Sequence, residues 1–431
     1  MRTSRTHETT SGRRFWLAGL LAVTCVTAAS AATTISIDSV QQRWPWNNKV
    51  DITYTVVDGQ DVSAAKYRKI VFTVDVDGTT YTIDGVTNFC ASAASGTHTV
   101  TWTAPDGVRS TNCTMSAAVY AADVPSGDDY MIVDLDTGVV TYEGLYGTQG
   151  ESNARYNTDA YKERLLVLRK VPKGGTYPTG YSQNVTGYAF AVYNSARTWT
   201  TDRDYWFCVF PVTQAQYLKI MGSNPSKFKS ASAINDTILH RPVESVSWEA
   251  LRVSGTAATS SVPVVATAGT GTFIQRLNYL TGNKLNFDLP TEVMFEIATR
   301  AGSTDAYFWG TSWDSEYCQC NTDDNALMTE AVGLRKPNAW GIYNTAGTIW
   351  QWCLDESTDG TYGYACINLA NIADPFVPAC ADGSYRMMHG SGSVGAYATT
   401  AYYYYASYRF VTGVSASNQY LGFRLAVIGE K

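Results

Sequence analysis

Val50, Ile52, Tyr54 and Val56 occupy every second position of KVDITYTVVDG, which closes on Asp58-Gly59. That period suits a strand with one buried and one wet face. The same grammar recurs in ISIDSV, KIVFTVDVDG, HTVTWTAPDG, TMSAAVYAADV and DDYMIVDLDTG, all between Thr34 and Tyr142. Repeated short runs with turn signals between them predict an N-terminal β-sandwich of about 110 residues, spanning 32–142. Such a module is a spacer or docking unit unless a ligand site is grafted onto it, because fold by itself supplies none.

The composition then changes. Glu143 to Lys162 is polar and Gly-bearing and reads as a linker, and residues 163–431 carry much Trp and Gly with few helical patterns. Two stretches do read as helices. Thr213 to Met221 starts on a favoured N-cap residue type, Thr213, and TEVMFEIATR (Thr291 to Arg300) follows Leu289-Pro290 and stops at Gly302. The whole is an α+β chain of a sandwich followed by a loop-rich domain.

With 431 residues, a net charge of −6 and only 16% charged residues, the chain has ample core and no basic footprint for nucleic acid. Residues 1–31 read as a secretion signal: Arg13-Arg14, an apolar run from Phe15 to Val23, then Ala29-Ser30-Ala31. A secreted, periplasmic or cell-surface protein is expected, with no membrane span. Past Cys25 stand Cys90, Cys113, Cys208, Cys318, Cys320, Cys353, Cys366 and Cys380. In an oxidising compartment their default is disulfides, with Cys90–Cys113 and Cys366–Cys380 as the sequence-local pairs and the others open.

Near the C-terminus, GSGSVGAYATTAYYYYASYRF (Gly390 to Phe410) begins on a literal G-x-G-x-x-G. A dinucleotide site needs those glycines to open a helix, with an acidic residue about 20 positions on. Neither is present.

Seven other stretches, in order, carry a resemblance: FPVTQAQY (Phe210 to Tyr217), SNPS (Ser223 to Ser226), RPVESVSWEA (Arg241 to Ala250), LPTE with Glu296 and Ala298 to Gly302, YFWG (Tyr307 to Gly310), KPNAWGIYNTAGTIWQWC (Lys336 to Cys353) and LGFRLAV (Leu421 to Val427). Together they resemble the formylglycine-generating enzymes, the sulfatase-modifying factors. The resemblance implies a variant of the C-type lectin fold with little regular secondary structure. The sandwich resembles fibronectin type III or immunoglobulin-like modules.

The family oxidises a sulfatase cysteine to formylglycine with a copper-binding cysteine pair that follows a GGSW-like motif. Copper(I) selects soft sulfur ligands. Here the motif's place reads RMMHGSGS (Arg386 to Ser393), and no cysteine stands between Ala381 and Lys431. No copper is expected. Relatives using histidine-held iron are matched no better, since only His98, His240 and His389 follow the signal. His240 and His389 read as structural residues, and Ser391 and Ser393 miss the G-x-S-x-G spacing.

Calcium is the metal the resemblance does imply, bound by oxygens. One site would use Asn344, the carbonyls of Gly347 and Ile349, and the side chain of Gln351, where the family usually has Glu. The other would use Asn321, Thr322, Asn325 and Leu327, with Asn325 where a carboxylate is expected.

Without thiol chemistry the tyrosine segment reads as a binding surface, because Tyr supplies amphipathic area at low entropy cost while Ser, Gly and Asn adapt around it. In related lectin-type scaffolds, variable positions lie just before a terminal GFRL-like strand. The expected ligand contacts are Tyr397, Tyr402, Tyr403, Tyr405, Arg409, Asn418 and Tyr420, and the partner a glycan or a protein. The plain alternative is a strand from Tyr402 to Phe410. It would set Tyr404, Tyr408 and Phe410 against Trp350 or Trp352, and leave Tyr403, Tyr405 and Arg409 on the other face. An oxidoreductase using unrecognised residues and a structural envelope component are the competing functions.

Overall fold

The computed structural model describes residues 34–42, 48–57, 66–83, 96–104, 113–123, 125–180, 196–229, 238–252, 270–319, 328–356, 385–392 and 401–429. The chain divides into two compact units, Met1–Asp123 and Val124–Lys431.

The first unit is built from β1 (Thr34–Gln42), β2 (Lys49–Val57), β3 (Lys66–Val76), β4 (Thr79–Thr82), β5 (Gly96–Thr103) and β6 (Cys113–Asp123). They form two three-stranded antiparallel sheets, ordered β1-β2-β5 and β4-β3-β6. The period-2 pattern is realised: Val50, Ile52, Tyr54 and Val56 are buried, and share one core with Ile70, Phe72 and Val74 of the other sheet. The outward rows are polar ladders, such as Thr53 with Thr99 at 3.1 Å and Thr55 with Thr97 at 2.9 Å.

The boundary falls earlier than the sequence suggests. DDYMIVDLDTG supplies β7 (Tyr130–Asp134), followed by β8 (Val140–Glu143), and both belong to the second unit's sheet. The expected linker holds helices α1 (Gln149–Tyr156) and α2 (Ala160–Glu163). Its polarity misled because the polar groups are buried in pairs. Glu143 accepts from Arg155 at 2.7 and 2.9 Å, from Tyr146 at 2.7 Å and from Tyr156 at 3.0 Å. Thr148 and Glu151 close a capping box at the start of α1, a signal legible in the sequence.

The rest of the second unit comprises β9 (Leu165–Val171), β10 (Thr176–Thr179), β11 (Arg197–Thr200), β12 (Tyr205–Cys208), α3 (Gln214–Met221), α4 (Trp248–Leu251), α5 (Phe273–Leu280), β13 (Phe287–Asp288), α6 (Glu292–Arg300), β14 (Trp350–Glu356), β15 (Tyr385–His389), β16 (Arg409–Gly413), β17 (Leu421–Gly422) and β18 (Ala426–Ile428). Helices α3 and α6 are the two read from sequence. Thr213 caps α3 reciprocally with Gln216, Thr291 accepts from the Met294 amide, and left-handed Gly222 and Ala301 end the helices.

The six-stranded sheet runs β13-β18-β12-β9-β7-β8, and the four-stranded one β16-β15-β14-β17. β12 is covered on both faces: Trp206 and Cys208 enter one core cluster, Tyr205 and Phe207 another. The second cluster is shared with α6 (Val293, Phe295, Ile297) and with Cys353, Met387 and Val411 of the smaller sheet. That sandwiching fixes the strands that lead into and out of the tyrosine segment. Among the described residues no helix is long and apolar enough to cross a membrane.

Candidate functional site

The tyrosine run does not extend as a strand. Ala401–Tyr404 makes a 3-10 turn, and the Tyr405 and Tyr408 amides continue the tight winding by donating to the Tyr402 and Tyr405 carbonyls. Only from Arg409 does pairing with β15 begin. Tyr408 and Phe410 meet Trp350, each at 5.9 Å between ring centroids, as the strand alternative expected. Tyr404 instead turns the other way and is buried against Trp313 at 5.0 Å. Tyr402, Tyr403 and Tyr405 stay half-buried, Tyr420 likewise, and Asn418 is exposed in a turn where its side chain accepts from the Tyr420 amide. Tyr397 lies outside the described residues.

The tyrosines join a second loop that sequence reasoning missed, YFWGTSWDSEY. Tyr307, Trp309 and Tyr317 form a parallel stack, 4.7 and 5.3 Å apart at 13° and 11°. Lys336 caps it at Tyr317, and Tyr405 meets Tyr307 edge-on at 5.0 Å. Both faces of Trp309 are thus covered and its indole N–H is held by the Ser312 carbonyl, so it braces the loop. Trp313 is the ring left open, 38% exposed. The Ala406 amide donates to the Ala306 carbonyl, and Arg335 clamps the loop by binding Glu330 and the Ser315 carbonyl. The available signal was the density of aromatic residues around Gly310.

Arg409 is a correction. Strand register places it opposite His389, on the face beneath α6 and not with Tyr403 and Tyr405. It is buried and donates to Glu292 Oε1 at 3.1 Å, while His389 Nε2 lies 2.9 Å from the same oxygen. Burial would raise the Glu292 pKa, but the Arg409 charge and the His389 hydrogen bond outweigh it and bring it down to about 2. His389 also stacks on Phe295 at 4.7 Å, and buried His240 lies 2.7 Å from Glu163, so both histidines serve as structural residues. Buried, Arg409 offers a ligand nothing.

Beside this face runs the loop from Asn344 to Gln351. Three non-glycine residues adopt left-handed backbone at or next to it, Asn344 (φ 52°), Thr348 (φ 69°) and Ser391 (φ 48°). For β-branched Thr348 that is real strain. Gly347 (φ 75°) is required, since a Cβ there would sit 2.3 Å from the Gln319 carbonyl oxygen.

Of the four expected calcium ligands of this loop, three already accept hydrogen bonds through the oxygens they would offer. Asn344 Oδ1 takes the Gly333 amide at 3.0 Å, the Gly347 carbonyl takes the Ile349 amide at 2.9 Å, and Gln351 Oε1 takes Arg424 at 2.6 Å. As folded, the set does not fit a hard cation seeking six to eight oxygens. With Gln in place of a carboxylate, the Arg424 guanidinium claims the side chain. Asn321, Thr322, Asn325 and Leu327 lie outside the described residues, and no His, Cys, Asp and Glu group suited to a metal occurs among the described ones.

Residues 166–428 match the sulfatase-modifying factor enzyme 1-like domain. The chain belongs to this family. It is similar to formylglycine-generating enzymes of Streptomyces coelicolor, at 30% identity over 151 residues (32% of this chain, 46% of that one), and Thermomonospora curvata, at 35% over 80 residues (16% and 26%). The chain thus spans less than half the length of the curated relatives it matches. Among solved structures it resembles Treponema denticola variable protein 1 (24% identity, TM-score 0.46, covering 61% of this chain and 95% of that one) and PvdO from Pseudomonas aeruginosa (16%, 0.45, 61% and 94%).

Among the described residues of the sulfatase-modifying-factor domain, Cys208, Cys318 and Cys353 lie in three different core clusters. Cys208 and Cys353 are buried free thiols in different core clusters, and burial pushes Cys208 up to about 12 and Cys353 well above its usual range. A thiol held protonated is a poor nucleophile and metal ligand. Cys318 is buried in the cluster under Tyr404, Tyr307 and Phe308. Apart from the backbone of Cys113, the pairs Cys90–Cys113 and Cys366–Cys380 fall outside the described residues, as do Cys320 and the segment 1–31.

Proposed function

We propose that this sulfatase-modifying-factor domain is a non-catalytic ligand-binding module of an exported protein, carried behind an immunoglobulin- or fibronectin-like sandwich on a C-type-lectin-like scaffold. The observation that carries the reading is the aromatic surface: two loops, 307–317 and 402–410, interlock so that Trp313 and the half-buried Tyr402, Tyr403 and Tyr405 stand on a rigid base. Rigid aromatic anchors with polar tips lose little entropy on binding and dominate recognition surfaces. The missing cysteine pair supports the non-catalytic part, because the family's chemistry needs thiolates and the segment has none. The ligand class is a glycan or a protein, and export follows from the leader-like first 31 residues. Glycan and protein arrays probed with the full chain should give hits that weaken by about tenfold or more in Trp313→Ala and in Tyr403→Ala/Tyr405→Ala. Hits indifferent to both changes, or none, would sink the reading.

A further inference from the structure

We infer that the loop from Asn344 to Gln351 is closed by the Gln351 amide in the place where the family resemblance implies calcium, and that this loop is built to fold without the metal. Gln351 is fully buried in β14, and both ends of its amide are engaged. Its oxygen accepts from Arg424 Nε at 2.6 Å, and its nitrogen donates to the Asn344 carbonyl at 3.0 Å. A guanidinium only donates and a carbonyl only accepts, so the amide has a single permitted orientation. Its oxygen faces Arg424 and its N–H groups face the loop.

The loop requires such a clasp. Asn344 and Thr348 both hold left-handed backbone, which persists in non-glycine residues only where surrounding contacts impose it. Those contacts are supplied by the protein itself. Asn344 Nδ2 donates to Thr348 Oγ1 at 3.2 Å, and the Gly347 amide donates to the Gly390 carbonyl at 2.6 Å. The Asn344 carbonyl accepts from Gln351 Nε2 and also from Arg424 Nη2, the latter at 2.9 Å.

The amide nitrogen stands among oxygens that a metal would otherwise use. A Cβ added to Gly390 would lie 2.8 Å from Gln351 Nε2, 3.2 Å from the Ile349 carbonyl oxygen and 3.4 Å from the Thr345 carbonyl oxygen, so one small space gathers all three atoms. Ile349 is the fourth of the expected calcium ligands. A cation entering there would meet the positive end of an amide whose other end holds a guanidinium, whereas a hard cation needs oxygens around it. Gln351→Glu reverses the sign at this point. The carboxylate still accepts from Arg424, but its second oxygen cannot donate to the Asn344 carbonyl and is set against it, a clash that calcium would relieve.

Hydrogen exchange of the full chain, followed on peptides covering 344–351 in EDTA and in millimolar calcium, tests this. The wild-type loop should be protected equally in both. Gln351→Glu should lower that protection about tenfold in EDTA, because one buried hydrogen bond is lost, and calcium should restore it. Reading the loop itself separates this effect from calcium taken up elsewhere in the chain. Calcium that raises protection of the wild-type loop overturns the proposal, and this comparison holds even where the variant does not fold. So does a Gln351→Glu loop as protected in EDTA as the wild type, or one that calcium fails to restore.

Discussion

Glu292→Gln is expected to cost the second unit about 3 kcal/mol or more of unfolding free energy at neutral pH. The substitution keeps shape and removes charge, leaving Arg409 and His389 buried against a neutral amide where a carboxylate had accepted from both at 3.1 and 2.9 Å. The pH dependence has a definite sign. The folded Glu292 pKa is depressed from an ordinary 4.5 to about 2, so its contribution is full above about 4.5 and is lost as pH falls through about 2. Denaturant unfolding of wild type and variant at a series of pH values should give curves that lie apart at pH 7 and converge toward pH 2. Equal midpoints at pH 7 would contradict the assignment of Glu292 as the anion that holds β15 and β16 under α6.

Arg424→Lys should be comparably damaging, although it conserves charge. Arg424 is fully buried and spreads its donors over Gln351 Oε1 (2.6 Å) and the carbonyls of Cys208 (2.8 Å), Tyr343 (2.7 Å) and Asn344 (2.9 Å), with Phe207 and Phe295 against its plane. No carboxylate accepts from it among these bonds, and burial pulls its pKa down to about 9, so the cation is held by oriented dipoles alone. An ammonium has three donors on a point and cannot span this fork. At least two buried acceptors would be left unpaired, at about 1–3 kcal/mol each, for a loss of about 3 kcal/mol. Gln351→Leu orphans one donor and should cost less. The comparison is read by thermal or denaturant unfolding, and a Lys variant as stable as wild type would refute the dipole cage.

The parts of this fold that were legible in sequence are those where local physics and tertiary demand agree. The alternation of Val50 to Val56, the Thr213 and Thr291 caps and the contact of Trp350 with Tyr408 and Phe410 follow from periodicity and capping chemistry. What stayed hidden depends on partners far away in the chain. Residues 143–162 read as solvated because nothing local says that Glu143 will be sealed in by Arg155, Tyr146 and Tyr156. Arg409 read as exposed because its anion lies 117 residues away. The calcium loop read as a ligand set because spacing does not tell which oxygens an arginine has already taken.

At the candidate site the lesson is similar. The tyrosines drew attention as a run, but Tyr405 and Tyr404 pack against Tyr307 and Trp313 of a second loop, which a search for chemistry passes over because aromatic rings carry none. Arg424, Trp352 and the α6 packing lie in the core of the second unit, while residues 390–410 carry six tyrosines and no cysteine.

The proposed exchange of thiol chemistry for an aromatic surface is tested most directly by incubating the full chain, supplied with copper, with a cysteine-bearing sulfatase-motif peptide and following the peptide by mass spectrometry. The account predicts that the cysteine remains unconverted. Time-dependent appearance of formylglycine, proportional to the protein added, would contradict it.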